Sequence, residues 1–187
     1  VVDEKAIVNA IVGLLATGGS TNHTMHLVAI ARMAGIIINW NDFDNLSKII
    51  PLIARVYPNG PADVNDFQNA GGLQAVISQL LSHGLLHEEI LTVGDQKGLG
   101  QYEFDVQLES DELVYSKVPT ASRNTDIISA VDTPFAPIGG IHLMRGNLGR
   151  GISKVSAVSE EHHVVEAPAM VFDDQEEMLA AFRKGEL

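Results

Sequence analysis

Apolar residues set the rhythm of the first half of the chain. Asp3 can cap a helix that runs to about Thr17, because its carboxylate can accept from the free N–H groups of a first turn. Ile7, Val8, Ile11, Val12, Leu14 and Leu15 cover more than one stripe of that helix, which predicts deep burial. Gly18-Gly19 ends it, since glycine tolerates the left-handed conformation beyond a helix C-terminus. A second helix is predicted from about Asn22 to Ala34, stopping at Gly35, and Ile36 to Trp40 is a short extended run. Asn41-Asp42-Phe43-Asp44 opens a third helix, with Phe43, Leu46, Ile49 and Ile50 at helical spacing and a kink or restart at Pro51. Tyr57-Pro58-Asn59-Gly60-Pro61 is a strong turn. Asp63 begins another helical stretch that Gly71-Gly72 interrupts, and Leu73, Val76, Ile77, Leu80 and Leu81 define the face of a helix closed by Gly84.

The pattern changes near Thr92. Residues 92–137 hold short polar runs, scattered glycines and Pro119, Pro134 and Pro137, which fits a connecting segment with one or two strands and a short helix near Thr125–Val131. From Ile138 the pattern is β, with strands expected at Ile141–Arg145, Ile152–Val158 and Val164–Phe172. Asp173 can cap a final helix that sets Met178, Leu179 and Phe182 on one face. A helical half (1–91), a connecting segment (92–137) and a β-rich part (138–187) make the fold class α/β or α+β, with parts of two domains.

Composition changes this picture in three places. Aromatics are only 5% of residues, so the core must be built from Ile, Val, Leu and Ala. The net charge of −12 argues against nucleic acid as a partner, because a phosphate backbone demands a basic footprint. An acidic protein can still hold a small anion through a few local donors. With no cysteine in the chain, disulfides and thiolate metal sites within it are excluded. The longest apolar stretch, Ala6 to Ala16, is broken by Asn9 and is too short to span a bilayer. No signal peptide is legible, and both ends read as cuts through a longer chain.

Candidate chemistry concentrates at Gly18-Gly19-Ser20-Thr21-Asn22-His23. Two glycines let the backbone come close to a ligand. Ser20, Thr21 and Asn22 are all capping types, so the helix that follows presents free N–H groups there. A helix start carries about half a positive charge and favours an anion such as a carboxylate or phosphate. It is not a P-loop, since no strand precedes it and no Gly-Lys-Ser/Thr follows. The same run also serves as a well-made cap of a helix–turn–helix, although three capping residues exceed what one cap requires. His23 and His26 share a helix face; His26 suits a structural role, while His23 in the first turn could reach a bound anion. The second candidate is Gly146-Asn147-Leu148-Gly149-Arg150-Gly151, where Asn147 and Arg150 offer an amide and a guanidinium that can pair with an oxyanion. A hairpin with an exposed arginine accounts for the same residues. His162-His163 sits among Glu160 and Glu161 and reads as solvated. No nucleophile triad, paired-carboxylate spacing or cysteine metal motif stands out. The residues alone therefore support an anion site at 18–23, with 146–151 as a second contributor.

Ala6 to Asn9, the run Leu14 to Leu27 with its Gly-Gly-Ser-Thr-Asn-His core, Tyr57 to Asp63, Ala70 to Gly72, Gly84 to His87, Gly146 to Arg150, Ser156 to Val158 and Glu166 to Ala169 together resemble the dihydroxy-acid/6-phosphogluconate dehydratase family. Gly-Gly-Ser-Thr-Asn is common to that family. His23-Thr24-Met25-His26, Pro-Asn-Gly-Pro and Gly-Asn-Leu-Gly-Arg resemble its 6-phosphogluconate branch. Dihydroxy-acid members tend to carry an Ala-Pro version of the second turn without the arginine at position 150. The resemblance is weakest over residues 92–137.

That resemblance implies loss of water from 6-phospho-D-gluconate to give 2-dehydro-3-deoxy-6-phosphogluconate, in the Entner–Doudoroff route of gluconate metabolism. It implies a cytoplasmic homodimer and a 4Fe-4S cluster acting as Lewis acid, with a Mg2+ site in some relatives. The cluster cysteines and most metal ligands would lie N-terminal to this segment and the serine base C-terminal to it. The architecture implied is the helical late part of an α/β N-terminal domain followed by the opening strands of a β-barrel-like C-terminal domain. Both anion-site candidates would then face one cleft: Ser20, Thr21, Asn22 and His23 as substrate contacts, Asn147 and Arg150 at the phosphate end. Unphosphorylated aldonates or dihydroxy acids are the alternative substrates. A non-catalytic folded or binding fragment is the alternative of another class.

Overall fold

A computed structural model describes residues 2–94 and 98–187; Val1 and residues 95–97 of the expected connecting segment lie outside it. The order is α1 (Glu4–Ala16), α2 (Thr21–Met33), α3 (Trp40–Ser47), α4 (Val64–Ala70), α5 (Gly72–Ser82), β1 (Phe104–Glu109), β2 (Glu112–Lys117), β3 (Ile141–Gly146), β4 (Gly149–Lys154) and α6 (Gln175–Lys184). Helix and strand are mixed, as the pattern predicts. Among the described residues the strands form two separate antiparallel hairpins and no closed barrel.

Helices α1, α3, α4 and α6 start where capping side chains stand. Asp3 Oδ1 accepts from Ala6 N at 2.8 Å. Asn39 with Asp42, and Asp63 with Asp66, make reciprocal capping boxes at α3 and α4. Asp174 caps α6, one residue later than expected. The core gathers Ile7, Ile11, Leu15 and Val76 with Leu80 and Phe43 from the helices, and Ile53, Ile128 and Ile141 from elsewhere. Each such side chain contributes about 1.5–3 kcal/mol on burial.

At the centre of this core the expected helix restart after Pro51 is replaced by an extended segment. Leu52, Ile53 and Ala54 are buried, and Ile53 N and Ala54 N both donate to the carbonyl of Ala16, the last residue of α1. Leu52 bridges Ala136 and Ala54 bridges Ile128. A continuous apolar run fits a buried strand as well as a helix, and proline removes the N–H that a helix would use. The short helix expected near 125–131 is also absent, because its backbone pairs across the core. Ser129 N donates to Ile53 O and Ile127 O accepts from Arg55 N, so this backbone pairs with the 52–56 segment instead. Buried Gln79 of α5 holds the segment too, donating to Ser129 O and accepting from Val131 N.

The strand expected at 164–172 does not form. Val164 and Val171 are exposed, and among the described residues no strand pairs with this stretch to supply the hydrogen bonds that a strand needs. The strand expected at 152–158 begins at Gly149 and stops at Lys154, where Val155–Ala157 make a single 3-10 turn. In β3–β4, Ile141 faces Lys154, Leu143 faces Ile152 and Arg145 faces Arg150 across the ladder. Residues two apart share a face, so these six lie on one side of the hairpin. Ile141 and Leu143 are buried, and β3 packs against α3.

Candidate functional site

The turn between α1 and α2 is shaped by close backbone approach. Gly18 and Gly19 have φ of 73° and 35°. A Cβ on Gly18 would stand 2.0 Å from Asn59 Nδ2, and one on Gly19 would stand 2.8 Å from the Leu14 carbonyl oxygen. Asn59 Nδ2 donates to Thr17 O at 3.2 Å. Ser156 Oγ lies 3.0 Å from Asn59 Oδ1 and 3.3 Å from Gly18 O, so its one hydroxyl proton is shared between these two acceptors. Gly140 completes the brace, since a side chain there would meet the Gly18 Cα at 2.9 Å. The Gly-Gly turn, the Pro-Asn-Gly turn and the residues flanking β3–β4 are thus locked together. The Tyr57–Pro58 peptide within the second turn is cis.

Ser20 is the N-cap of α2 by position, with extended backbone, but its hydroxyl makes no capping hydrogen bond. The free N–H groups of the first turn of α2 therefore have no side-chain acceptor at the cap. Ser20 and His23 line one rim of an open cavity of about 770 Å3. Thr17, Gly19, Tyr57 and Asn59 continue that rim, and Lys154 joins it from the end of β4. The walls are apolar, among them Ala10 and Leu14 of α1, Phe67 of α4 and Val76 and Leu80 of α5. No carboxylate lines it among the described residues, in a chain whose net charge is −12. Burial lowers the Lys154 pKa from its ordinary value, because the charged ammonium has lost part of its water.

The expected site residues divide. Ser20 and His23 reach the cavity, whereas Thr21 and Asn22 lie in the first turn of α2 without lining it. Asn147 and Arg150 line a different hollow at the tip of the β3–β4 hairpin, together with Arg145. Arg145 and Arg150 both donate to Asn41 Oδ1 at the start of α3, at 2.6 and 3.2 Å. The single cleft implied by resemblance is therefore two hollows in this chain: strand geometry carries Arg150 outward from Lys154 along β4. His26 is exposed. His163 is exposed as expected, with Nε2 3.0 Å from Val158 O. Among the described residues, no group of three or more His, Asp or Glu is placed to hold a metal.

Lys154, Asn59 and Ser156 were not singled out by sequence. A signal for Lys154 exists: it lies two residues from Ile152, which packs on the core, so strand alternation turns the lysine to the inner face. Asn59 and Ser156 act through contacts 97 residues apart, which no local pattern reveals.

Family comparison agrees with the motifs. Residues 1–101 match the family described as dihydroxy-acid/6-phosphogluconate dehydratase N-terminal, and residues 126–187 match its C-terminal counterpart. The chain is 54% identical over 187 residues to a phosphogluconate dehydratase of Pseudomonas aeruginosa and 53% identical over 189 residues to one of Helicobacter pylori. It is 35% identical over 189 residues to a dihydroxy-acid dehydratase of Caldanaerobacter subterraneus. All of this chain aligns in each case, but it spans only 31% of each relative's length. The chain belongs to the dihydroxy-acid/6-phosphogluconate dehydratase family.

Proposed function

We propose that the full-length protein is a hydro-lyase that removes water from 6-phospho-D-gluconate to give 2-dehydro-3-deoxy-6-phosphogluconate, within the Entner–Doudoroff route. The observation that carries this reading is the greater likeness to phosphogluconate dehydratases than to the dihydroxy-acid dehydratase, extending over all 187 residues. The site is compatible with it. A sugar acid is a flexible anion, and the cavity offers a rim of hydroxyl, amide, imidazole and ammonium groups above apolar walls. The Ser20 hydroxyl and the first-turn N–H groups of α2, near Thr21 and Asn22, would donate to an oxyanion, with His23 at their side. Asn147 and Arg150 would act from the separate hairpin hollow, as contacts outside this cavity.

An iron–sulfur cluster belongs to this reading, and Mg2+ to some relatives' chemistry. This chain offers no thiolate to hold the cluster, because it contains no cysteine, so the ligands would come from other parts of the longer protein. A cytoplasmic homodimer completes the proposal; no helix among the described residues is long and apolar enough to cross a membrane.

Turnover of the full-length protein on 6-phospho-D-gluconate, D-gluconate and a 2,3-dihydroxy carboxylic acid tests the assignment. The phosphorylated acid should have a kcat/KM at least about tenfold above the others, the discrimination expected from one added charge-assisted contact. A preference for either unphosphorylated acid would overturn it.

A further inference from the structure

We propose that Lys154 is the cation that holds an oxyanion of the substrate in the α1–α5 cavity. This rests on the dehydratase reading for the identity of the substrate, but the placement of the lysine does not depend on it. The β4 strand ends at Lys154, whose backbone pairs with Ile141, a fully buried core residue. The root of the side chain is therefore fixed by the ladder and by the core beneath it. Its stem shares the inner face with Ile152 and reaches the same cavity as Ser20 and His23.

Among the described residues the ammonium has no hydrogen bond and no ion pair, although the rim supplies Asn59 and Ser20 nearby. Lys48 and Lys117 differ in having carboxylate partners: Lys48 meets Asp44 at 2.7 Å and Lys117 meets Glu103 at 3.8 Å. A partly desolvated ammonium without a counter-ion is unfavourable, and burial alone accounts for its lowered pKa. An oxyanion in the cavity would supply the missing charge, and no carboxylate on the walls competes for it. Arg150 is less well placed. Four residues earlier on β4, about 13 Å away at strand rise, it is already hydrogen-bonded to Asn41.

The test uses the full-length enzyme with its cluster, comparing Lys154→Met, Lys154→Arg, Arg150→Ala and, as a surface control, Lys5→Met. Lys154→Met should raise KM for 6-phospho-D-gluconate by about tenfold or more while kcat changes less than about threefold, the pattern of lost charge-assisted binding. Lys154→Arg, which keeps the charge, should recover most of that loss, and Lys5→Met should match wild type. D-glucitol 6-phosphate and D-gluconate as inhibitors carry only the phosphate or only the carboxylate. The one weakened by Lys154→Met identifies the end that is held, and weakening of neither overturns the proposal. An unchanged KM in Lys154→Met, a loss in Lys154→Arg equal to that in Lys154→Met, or a larger KM effect from Arg150→Ala would each also overturn it. Titration with inorganic phosphate and acetate separates the two ideas. Anion binding lost in Lys154→Met, in an enzyme that dehydrates none of the sugar acids, would sink the dehydratase reading and keep the lysine site.

Discussion

At the residue scale, the turn after α1 shows why particular side chains are forbidden. Gly18 needs a positive φ and also has Asn59 where its Cβ would be, so alanine there meets two penalties at once. Asn59 cannot simply withdraw, because its amide donates to Thr17 O and its carbonyl receives the Ser156 hydroxyl. Gly18→Ala should therefore destabilise the protein by about 1–3 kcal/mol, read as a lower urea midpoint. Gly35, also at positive φ but with open space around it, should lose less on the same change, through backbone strain alone. Equal losses at the two positions would mean that the Asn59 brace is not what restricts Gly18. The sequence shows the two glycines and the three capping types, but not the brace. It also presents Asn9 as a break in an apolar run. In the fold its amide donates to His87 O and accepts from His87 N, both at 2.8 Å, replacing a backbone partner for the chain that passes α1.

At the element scale, what seats the β3–β4 hairpin on the helices is one buried carboxylate. Asp44 of α3 accepts from Leu143 N at 3.0 Å, from Lys48 Nζ at 2.7 Å, and lies 3.2 Å from His142 Nδ1. Burial pushes its carboxyl pKa upward, but the hydrogen bonds from Lys48 and Leu143 and the charges of Lys48 and His142 win, leaving it below 3.8. A folded-state pKa below the unfolded one means that Asp44 contributes stability above the unfolded value. That contribution is lost as pH falls through the depressed folded value. Acid should thus loosen the hairpin only below about pH 4. Asp44→Ala strands the Leu143 N–H in the core and should cost about 1–3 kcal/mol near neutral pH. Hydrogen exchange of the β3 amides, corrected for intrinsic rates, should quicken in the variant and reproduce in it the loosening that wild type shows only in acid. Unchanged β3 exchange in Asp44→Ala would remove Asp44 as the latch. Helix starts were legible in sequence because a cap is local. The β1–β2 turn was not: Ser110 and Asp111 both take positive φ, a conformation more often signalled by Asn-Gly. The run Leu52–Ala54 departs from the expected helix because burial on every side erases the periodicity that distinguishes helix from strand.

At the scale of the whole molecule, the surface is more apolar than an isolated domain of this charge requires. Met33 of α2 is 88% exposed, Leu108 of β1 70% and Val164 87%. Ile30, Leu113, Tyr115, Val165 and Val171 are exposed as well. Single exposed apolar residues are ordinary, but β1–β2 turns Val106, Leu108, Leu113 and Tyr115 to solvent with almost nothing buried on either face. A lone hairpin of that kind is marginally stable in water. Its persistence calls for cover, and the chain spans only 31% of the length of the relatives it matches. The open cavity follows the same logic, with apolar walls on α1, α4 and α5 and polar groups gathered at one rim. The 187-residue chain prepared alone should therefore bind a hydrophobic dye and self-associate as its concentration rises, while a full-length protein should do neither at matched molarity. Replacing Leu108 and Leu113 together with lysine, which blunts an exposed hairpin without touching the core, should reduce self-association of the short chain and impair assembly of the long one. A short chain that stays monomeric and dye-silent would show that these apolar faces need no partner.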